Sequence, residues 1–191
     1  MKKLLFAFLA CSLYFACYAQ STYLSNGSVF NLNKEAYNSL HPAIRDSLHA
    51  GIKKINDYHS LYTSAEKAVL DSLIQAFQNK TGFQVTLLTF DSSMVEGYTV
   101  EEVVRTIGIQ HKNAITIGIA PSQRSLYIWN DSLVNNTVLN ELETKAAIDN
   151  YFVPHFAKGA YYEGTVSGVK EIFNTILRKR SFQKVGRKNN G

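Results

Sequence analysis

Apolar residues recur at steps of three and four from Lys34 onward, at Ala36, Leu40, Ile44, Leu48, Ile52 and Ile55. That spacing predicts a helical segment over 34–55 with a narrow apolar stripe, broken or started near Pro42. The next helix is better delimited. TSAEKAVLDSLIQAFQNKTG offers a Ser or Thr cap, Glu66 in the first turn, Leu70, Leu73, Ile74 and Phe77 on one face, and Gly82 as the stop. It feeds FQVTLLTF, whose β-branched and aromatic content reads as a buried strand. A further helical pattern covers Val100 to Ile109. Beyond it NAITIGIA and RSLYIWN, separated only by PSQ, predict a β-hairpin. The passage from Phe83 to Ala120 is strand, helix, strand, which implies a parallel pair joined by a right-handed crossover. Residues 137–152 place Leu139, Leu142, Ala146 and Phe152 on one helix face, and residues 163–178 do the same with Val166, Val169, Ile172, Phe173 and Ile176. The predicted class is α/β, with helices packed on a small mixed sheet.

The N-terminus changes the picture of where this domain works. MKKLLFAFLACSLYFACYAQ joins Lys2 and Lys3 to an apolar run and small residues, the three parts of a secretory signal over 1–19. Export to the periplasm or the exterior follows as an expectation, with a mature chain from Gln20. Both cysteines, Cys11 and Cys17, lie in that signal, so disulfides, thiolate metal sites and cysteine nucleophiles are excluded from the mature protein. Lipid attachment to either cysteine is the weaker reading, because Phe8 and Tyr14 occupy the positions three residues upstream. Residues 20–33, polar and glycine-containing, read as a linker.

The net charge of +5 is unevenly placed. Residues 20–177 hold 12 Lys and Arg against 15 Asp and Glu, whereas 178–191 hold Arg178, Lys179, Arg180, Lys184, Arg187 and Lys188 and no acid. The basicity is that of a tail and not of a broad nucleic-acid face. Such a tail suits an anionic surface, and tethering of the domain to one is a third functional reading. The sequons at Asn26, Asn79, Asn130 and Asn135 matter only in a glycosylating pathway.

Between the last two predicted helices lies VPHFAKGAYYEG. Pro154 is expected to end one helix, Gly159 to allow a turn that a side chain resists, and Phe156, Tyr161 and Tyr162 to fill the corner. Gly164 then lets the final helix start close to its neighbour. The spacing Pro154, Phe156, Gly159, Tyr161, Gly164, with Gly168 a helical turn on, resembles the signature of the TPM domain family. INDYHSLYTSAEKAVLDSLIQAFQNKTGFQVTLLTF is similar to that family's opening, and IGIQHKN with the hairpin falls in the matching order, so the resemblance covers about 56–177. It implies an α/β/α sandwich with helices on both faces of the sheet, in a family of mostly exported or lumenal proteins. Some members are assigned acid phosphatase activity, and some bind calcium through loop carboxylates.

Those implied activities meet this chain's residues unevenly. Asp57 matches the family's early aspartate. Lys112, Asn113 and Ala114 stand where relatives carry Asp-Asn-Gly, and a lysine brings a positive charge with no acceptor. Asp131 is a substitute ligand displaced by one position. Asp57 and Asp131 are therefore the candidate metal residues, calcium is the implied cation, and no cofactor is expected because the other carboxylates are replaced. No catalytic residue is legible. His41, His49, His59, His111 and His155 form no i, i+4 ligand pair, GTVSG at 164–168 lacks the order of a nucleophile elbow, and no nucleotide-binding glycine loop occurs. The expectation is a non-catalytic binding or accessory module serving an envelope protein, with a divalent-metal-dependent acid phosphatase as the alternative.

Overall fold

The computed structural model describes residues 41–95, 98–109 and 111–188. The expected signal and linker, and Ala36 and Leu40 of the first apolar stripe, lie outside the described residues. Helix α1 (Pro42–Ala50) begins where the missing proline N–H costs no hydrogen bond, with His41 accepting from the Ala43 N–H at 3.3 Å. It stops at Gly51, whose φ of 87° leaves the helical region. The expectation of one helical run to Ile55 is therefore corrected. Ile55 opens strand β1 (Ile55–Asp57), where pairing with a neighbouring strand overrides helical spacing.

Helix α2 (Ser64–Thr81) is bounded as its sequence predicts. Thr63 and Glu66 form a reciprocal capping box, Leu70, Ile74 and Phe77 are buried, and Gly82 takes the left-handed conformation at φ 77°. Strand β2 (Gln84–Thr89), helix α3 (Val100–Gly108), strand β3 (Ala114–Ala120) and strand β4 (Ser125–Asn130) follow. The sheet order is β1-β2-β3-β4, parallel through β3 and antiparallel at β4, so the hairpin and the mixed sheet are as expected.

Alternation of side chains sets which helix covers which face. Val85, Leu87, Ile115, Ile117 and Ile119 pack with α2 and the C-terminal helices, whereas Leu88, Phe90 and Ala120 pack with α3 and with Ile44 of α1. The fold is thus an α/β/α sandwich. The chain steps β1, β2, β3 in one direction while α2 and α3 lie on opposite faces, so the two crossovers have opposite hands. The Phe90 N–H reaches Ile119 of β3 while its side chain lies on the α3 face. For L-residues this makes β2–α3–β3 the expected right-handed unit. It makes β1–α2–β2 left-handed, against a rule obeyed in about 98% of such units.

The C-terminal layer departs from its predicted pattern. A short helix that the spacing did not predict, α4 (Ser132–Thr137), comes first, and the helix predicted over 137–152 starts only at α5 (Glu141–Ala147), because Asn140 caps it there through a capping box with Glu143. Leu142, predicted inward, is 79% exposed. Pro154 does not end a helix. A π-helical segment, Ile148–Phe152, sends the Val153 N–H to the Ile148 carbonyl, and Pro154 fits the first turn of α6 (Val153–Phe156) that follows. The joint to α7 (Tyr161–Lys188) is as expected: Gly159 has φ 75°, and the Phe156 ring sits 4.9 Å from Tyr161 and 5.8 Å from Phe152. A Cβ on Gly164 would lie 2.7 Å from the Phe156 ring, and one on Gly168 would run into the Phe152 ring.

The basic segment from 178 continues α7 and is not a separate tail as far as Lys188. Lys179 donates to Glu143 of α5 at 2.6 Å, and the Arg180 guanidinium donates to the Thr81 carbonyl and lies 5.4 Å over the Phe83 ring.

Gly168→Ala adds helix propensity worth about 1 kcal/mol, yet is expected to destabilise by about 1–3 kcal/mol net, because buried Phe152 must leave its rotamer. Urea unfolding of this variant beside the pair Lys170→Ala and Lys170→Gly, at an exposed interior position of α7, separates packing from propensity. An unchanged midpoint for Gly168→Ala would refute the close-approach account.

Candidate functional site

At the carboxyl ends of β1 and β2 the chain leaves the sheet in opposite directions. The β1 exit, 58–63, leads to α2 on one face, and the β2 exit, which begins at Phe90, leads to α3 on the other. In open α/β sheets, ligands bind in the crevice opened by such a divergence. Asp57 ends β1 and stands opposite Thr89 in the register.

The Asp57 carboxylate is nearly enclosed, its side chain 3% exposed. Oδ1 accepts from the Thr89 hydroxyl at 2.6 Å and from the Leu61 N–H at 2.8 Å. Oδ2 accepts from the Tyr62 N–H at 3.2 Å and faces the Lys67 ammonium at 3.4 Å. The Thr89 hydroxyl in turn accepts from the His59 N–H at 3.1 Å, so one carboxylate ties the β1 exit, the first turns of α2 and the end of β2 together. Ser60 holds φ 52° within this tight loop. On the β2 exit Asp91 accepts from the Ser93 N–H and hydroxyl at 3.1 Å each, and its other oxygen lies 3.7 Å from His59 Nδ1 of the β1 exit. That nitrogen is shielded from solvent and makes no hydrogen bond.

Tyr62 links the crevice to α7. Its hydroxyl shares a 2.8 Å hydrogen bond with the Thr165 hydroxyl, and burial, reinforced by the charge on Asp57, pushes its pKa far above the ordinary phenol value. Such a group is held neutral, so its hydroxyl serves as a structural strut.

Asp131 lies elsewhere. It is the N-cap of α4, accepting from the Val134 N–H at 2.8 Å, and its second oxygen accepts from the Asn113 N–H. Its own N–H bonds the Ala114 carbonyl, at the opposite end of β3 from Ile119, which the register aligns with Thr89 and Asp57. Five residues of strand and three interstrand steps separate the two aspartates, about 16 Å along the strands and about 14 Å across them. The structure does not bring them into one site. Exposed Lys112 stands beside Asn113 at the Asp131 end. Pro154, Phe156, Gly159, Tyr161 and Gly164 all lie in the α6–α7 joint, where their contacts are with one another and with the helices. Among the described residues no three His, Asp or Glu side chains form a metal-holding group. Sequence reading missed Thr89, His59 and Lys67. Only the Thr at the strand end gave a signal, since Lys67 and His59 reach Asp57 and its partner through the fold.

A family model described as the TPM domain matches residues 55–175. Two solved structures are similar to the chain. One is the N-terminal domain of a protein from P. gingivalis, at 18% identity and TM-score 0.56 over 68% of this chain and 85% of that one. The other is an N-terminal domain from Corynebacterium glutamicum, at 11% identity and TM-score 0.54 over 66% and 81%. At these identities the likeness is one of fold. No curated protein matches the chain.

Asp57→Ala, which strands two backbone N–H groups and leaves Lys67 unpaired, should cost about 3 kcal/mol, and Thr89→Val about 1 kcal/mol. Denaturant unfolding at neutral pH checks both. Equal, negligible shifts would show that the carboxylate is not the tie that holds these loops.

Proposed function

Since the chain belongs to the TPM domain family, we propose that it is an exported TPM-domain protein acting in the cell envelope as a binding or accessory module without catalysis. Export rests on the charged, apolar and small-residue order of residues 1–19. The non-catalytic reading is carried by one observation: both Asp57 oxygens are engaged by Leu61, Tyr62, Thr89 and Lys67. Calcium requires six to eight oxygen ligands with several carboxylates. Asp57 has an ammonium where a cation would sit, and Asp131 spends its oxygens on a helix cap and a turn. Neither donor set suits the ion, and the two cannot combine.

The phosphatase alternative lacks the same groups. Metal-assisted phosphoryl transfer needs a held cation to neutralise phosphate oxygens. A metal-free route needs a nucleophile hydrogen-bonded to an activating base, and the Thr89 hydroxyl donates instead to an aspartate locked by backbone N–H groups. The crevice between the two exit loops, lined by His59, Asp91 and Ser93, is the place where a partner segment would meet polar side chains.

Thermal unfolding of the metal-stripped protein with calcium added over a wide range is expected to show no shift, whereas a native-state ligand at a hundredfold excess over its Kd stabilises by about 2.7 kcal/mol. Phosphate-ester turnover across acidic pH, with calcium, magnesium or manganese supplied, is expected to stay at the blank rate. A calcium-dependent rise in Tm that disappears in Asp57→Asn, together with turnover, would overturn the reading in favour of the enzyme.

A further inference from the structure

The two edges of the sheet are not alike. Strand β1 is three residues long and runs straight into the Asp57 turn, and a very short edge strand is one way in which sheets avoid pairing with another chain. Strand β4 has six residues. Its sequence, SLYIWN, contains no charged residue and no proline, and its register with β3 is free of bulges, so none of the usual guards against edge pairing is present. All of its residues except buried Ile128 are half-buried.

The phase of the ladder fixes which backbone groups face out. The Asp131 N–H donates to the Ala114 carbonyl at 3.0 Å, and hydrogen-bonded pairs alternate along an antiparallel ladder. Trp129, Tyr127 and Ser125 therefore direct their N–H and C=O groups to Thr116, Gly118 and Ala120. Leu126, Ile128 and Asn130 direct theirs away from β3, and among the described residues no backbone hydrogen bond takes them up. Apolar side chains are exposed beside this row. Helix α3 lies over β3 and β4, with Val104 against Gly118 and Gly108 against the Trp129 ring. Arg105 donates to the Tyr127 hydroxyl at 3.0 Å, which puts Arg105 and Ile109, four residues on, at the β4 side of the helix. Ile109 is 44% exposed, and so is Leu133 of α4, at 47%, just beyond the end of β4.

We infer that β4 pairs antiparallel with the β4 of a second copy of this chain, about a two-fold axis at Ile128, joining two four-stranded sheets into one. A second copy fits because the strand is complementary to itself in this register. Ile128 meets Ile128 and Leu126 meets Asn130, so every outward N–H and C=O of the three residues gains a partner. Tyr127 of each copy faces Trp129 of the other in a non-hydrogen-bonded pair, where side chains approach most closely. With no charge in the strand, no like charges are opposed. Adjacent strands lie about 4.8 Å apart, so helices seated over β3 and β4 in both copies come to about 10 Å, the ordinary separation of packed helices. Ile109 follows Gly108, which touches Trp129 one residue from the axis, and is covered there. The pairing closes after two copies. It does not involve the loops that follow β1 and β2, so it stands whether the domain binds or catalyses.

Sedimentation velocity from about 1 μM to about 1 mM protein, with amide hydrogen exchange read residue by residue at both ends of that range, tests it. The expected result is a monomer–dimer equilibrium insensitive to salt. Protection of the Leu126, Ile128 and Asn130 amides should rise about tenfold or more in the dimer, while the Tyr127 and Trp129 amides, already bonded to β3, change little. Leu126→Pro removes an outward N–H and spares the β3 ladder, so it should weaken the dimer about tenfold, two hydrogen bonds being lost across the axis. Ile109→Lys, an exposed substitution that sets like charges beside the axis, should weaken it as well. The inference fails if the protein is a monomer throughout, the result expected if the strand instead awaits an extended segment of another chain. It fails equally if the dimer forms without protection at the alternate amides, if association continues past two copies, or if both folded variants dimerise as tightly as the parent.

Discussion

The architecture hangs on a buried carboxylate at the end of a three-residue strand. Strand β1 is too short to be held by its ladder alone, pairing over Ile55–Asp57 only. Asp57 supplements that pairing by accepting from the loop that follows it and from the Thr89 hydroxyl on β2. Removing a carboxylate from water is costly unless its lone pairs are filled. Here they are filled by groups from three consecutive pieces of chain, and Lys67 supplies the countercharge. The same atoms that make burial tolerable fix where α2 begins relative to β2.

That fixing matters because the β1–α2–β2 unit has the disfavoured hand. A right-twisted strand feeding a right-handed helix packs back comfortably only in a right-handed crossover, so a left-handed one must be held by specific contacts. The capping box at Thr63 and Glu66, the Asp57 tie and the stacked Phe77 and Phe173 rings, 3.8 Å apart, provide these along the length of α2. The reward is geometric. With α2 and α3 on opposite faces, the loops leaving β1 and β2 turn to opposite sides of the sheet, the divergence at which open α/β sheets bind ligands, which two right-handed units in this strand order would not produce.

Local signals were legible wherever a turn or a cap is made by neighbours in sequence. The α2 boundaries, the hairpin and the corner at Gly159 all follow from residues within a few positions of one another. What escaped reading was decided at a distance. Ile55 continues a helical stripe on paper but is taken by the ladder to Leu87, and Leu142 fits an inward face that Asn140 rotates by starting a new helix. Asp57 and Asp131 look like partners when matched to a family pattern. Strand order and direction, which no spacing reports, send them to opposite ends. Likewise a run of Lys and Arg looks like one tail until Glu143 and Thr81 claim part of it.

The corner whose spacing resembles a family signature is therefore a matter of packing. Pro154, Phe156, Gly159, Tyr161 and Gly164 build the corner from which α7 starts, and Thr165 in the first turns of that helix bonds Tyr62, whose N–H holds Asp57. Joint, strut and carboxylate form one connected support. That support does not depend on the loops at the other end of the sheet, where Lys112 is exposed and Asp131 caps a helix. The corner residues and Asp57 then carry no information about a cation, because each already has a structural task. Chemistry in such a domain has to be sought among side chains that the support leaves available, and at this end of the molecule those are the ones facing the crevice between the diverging loops.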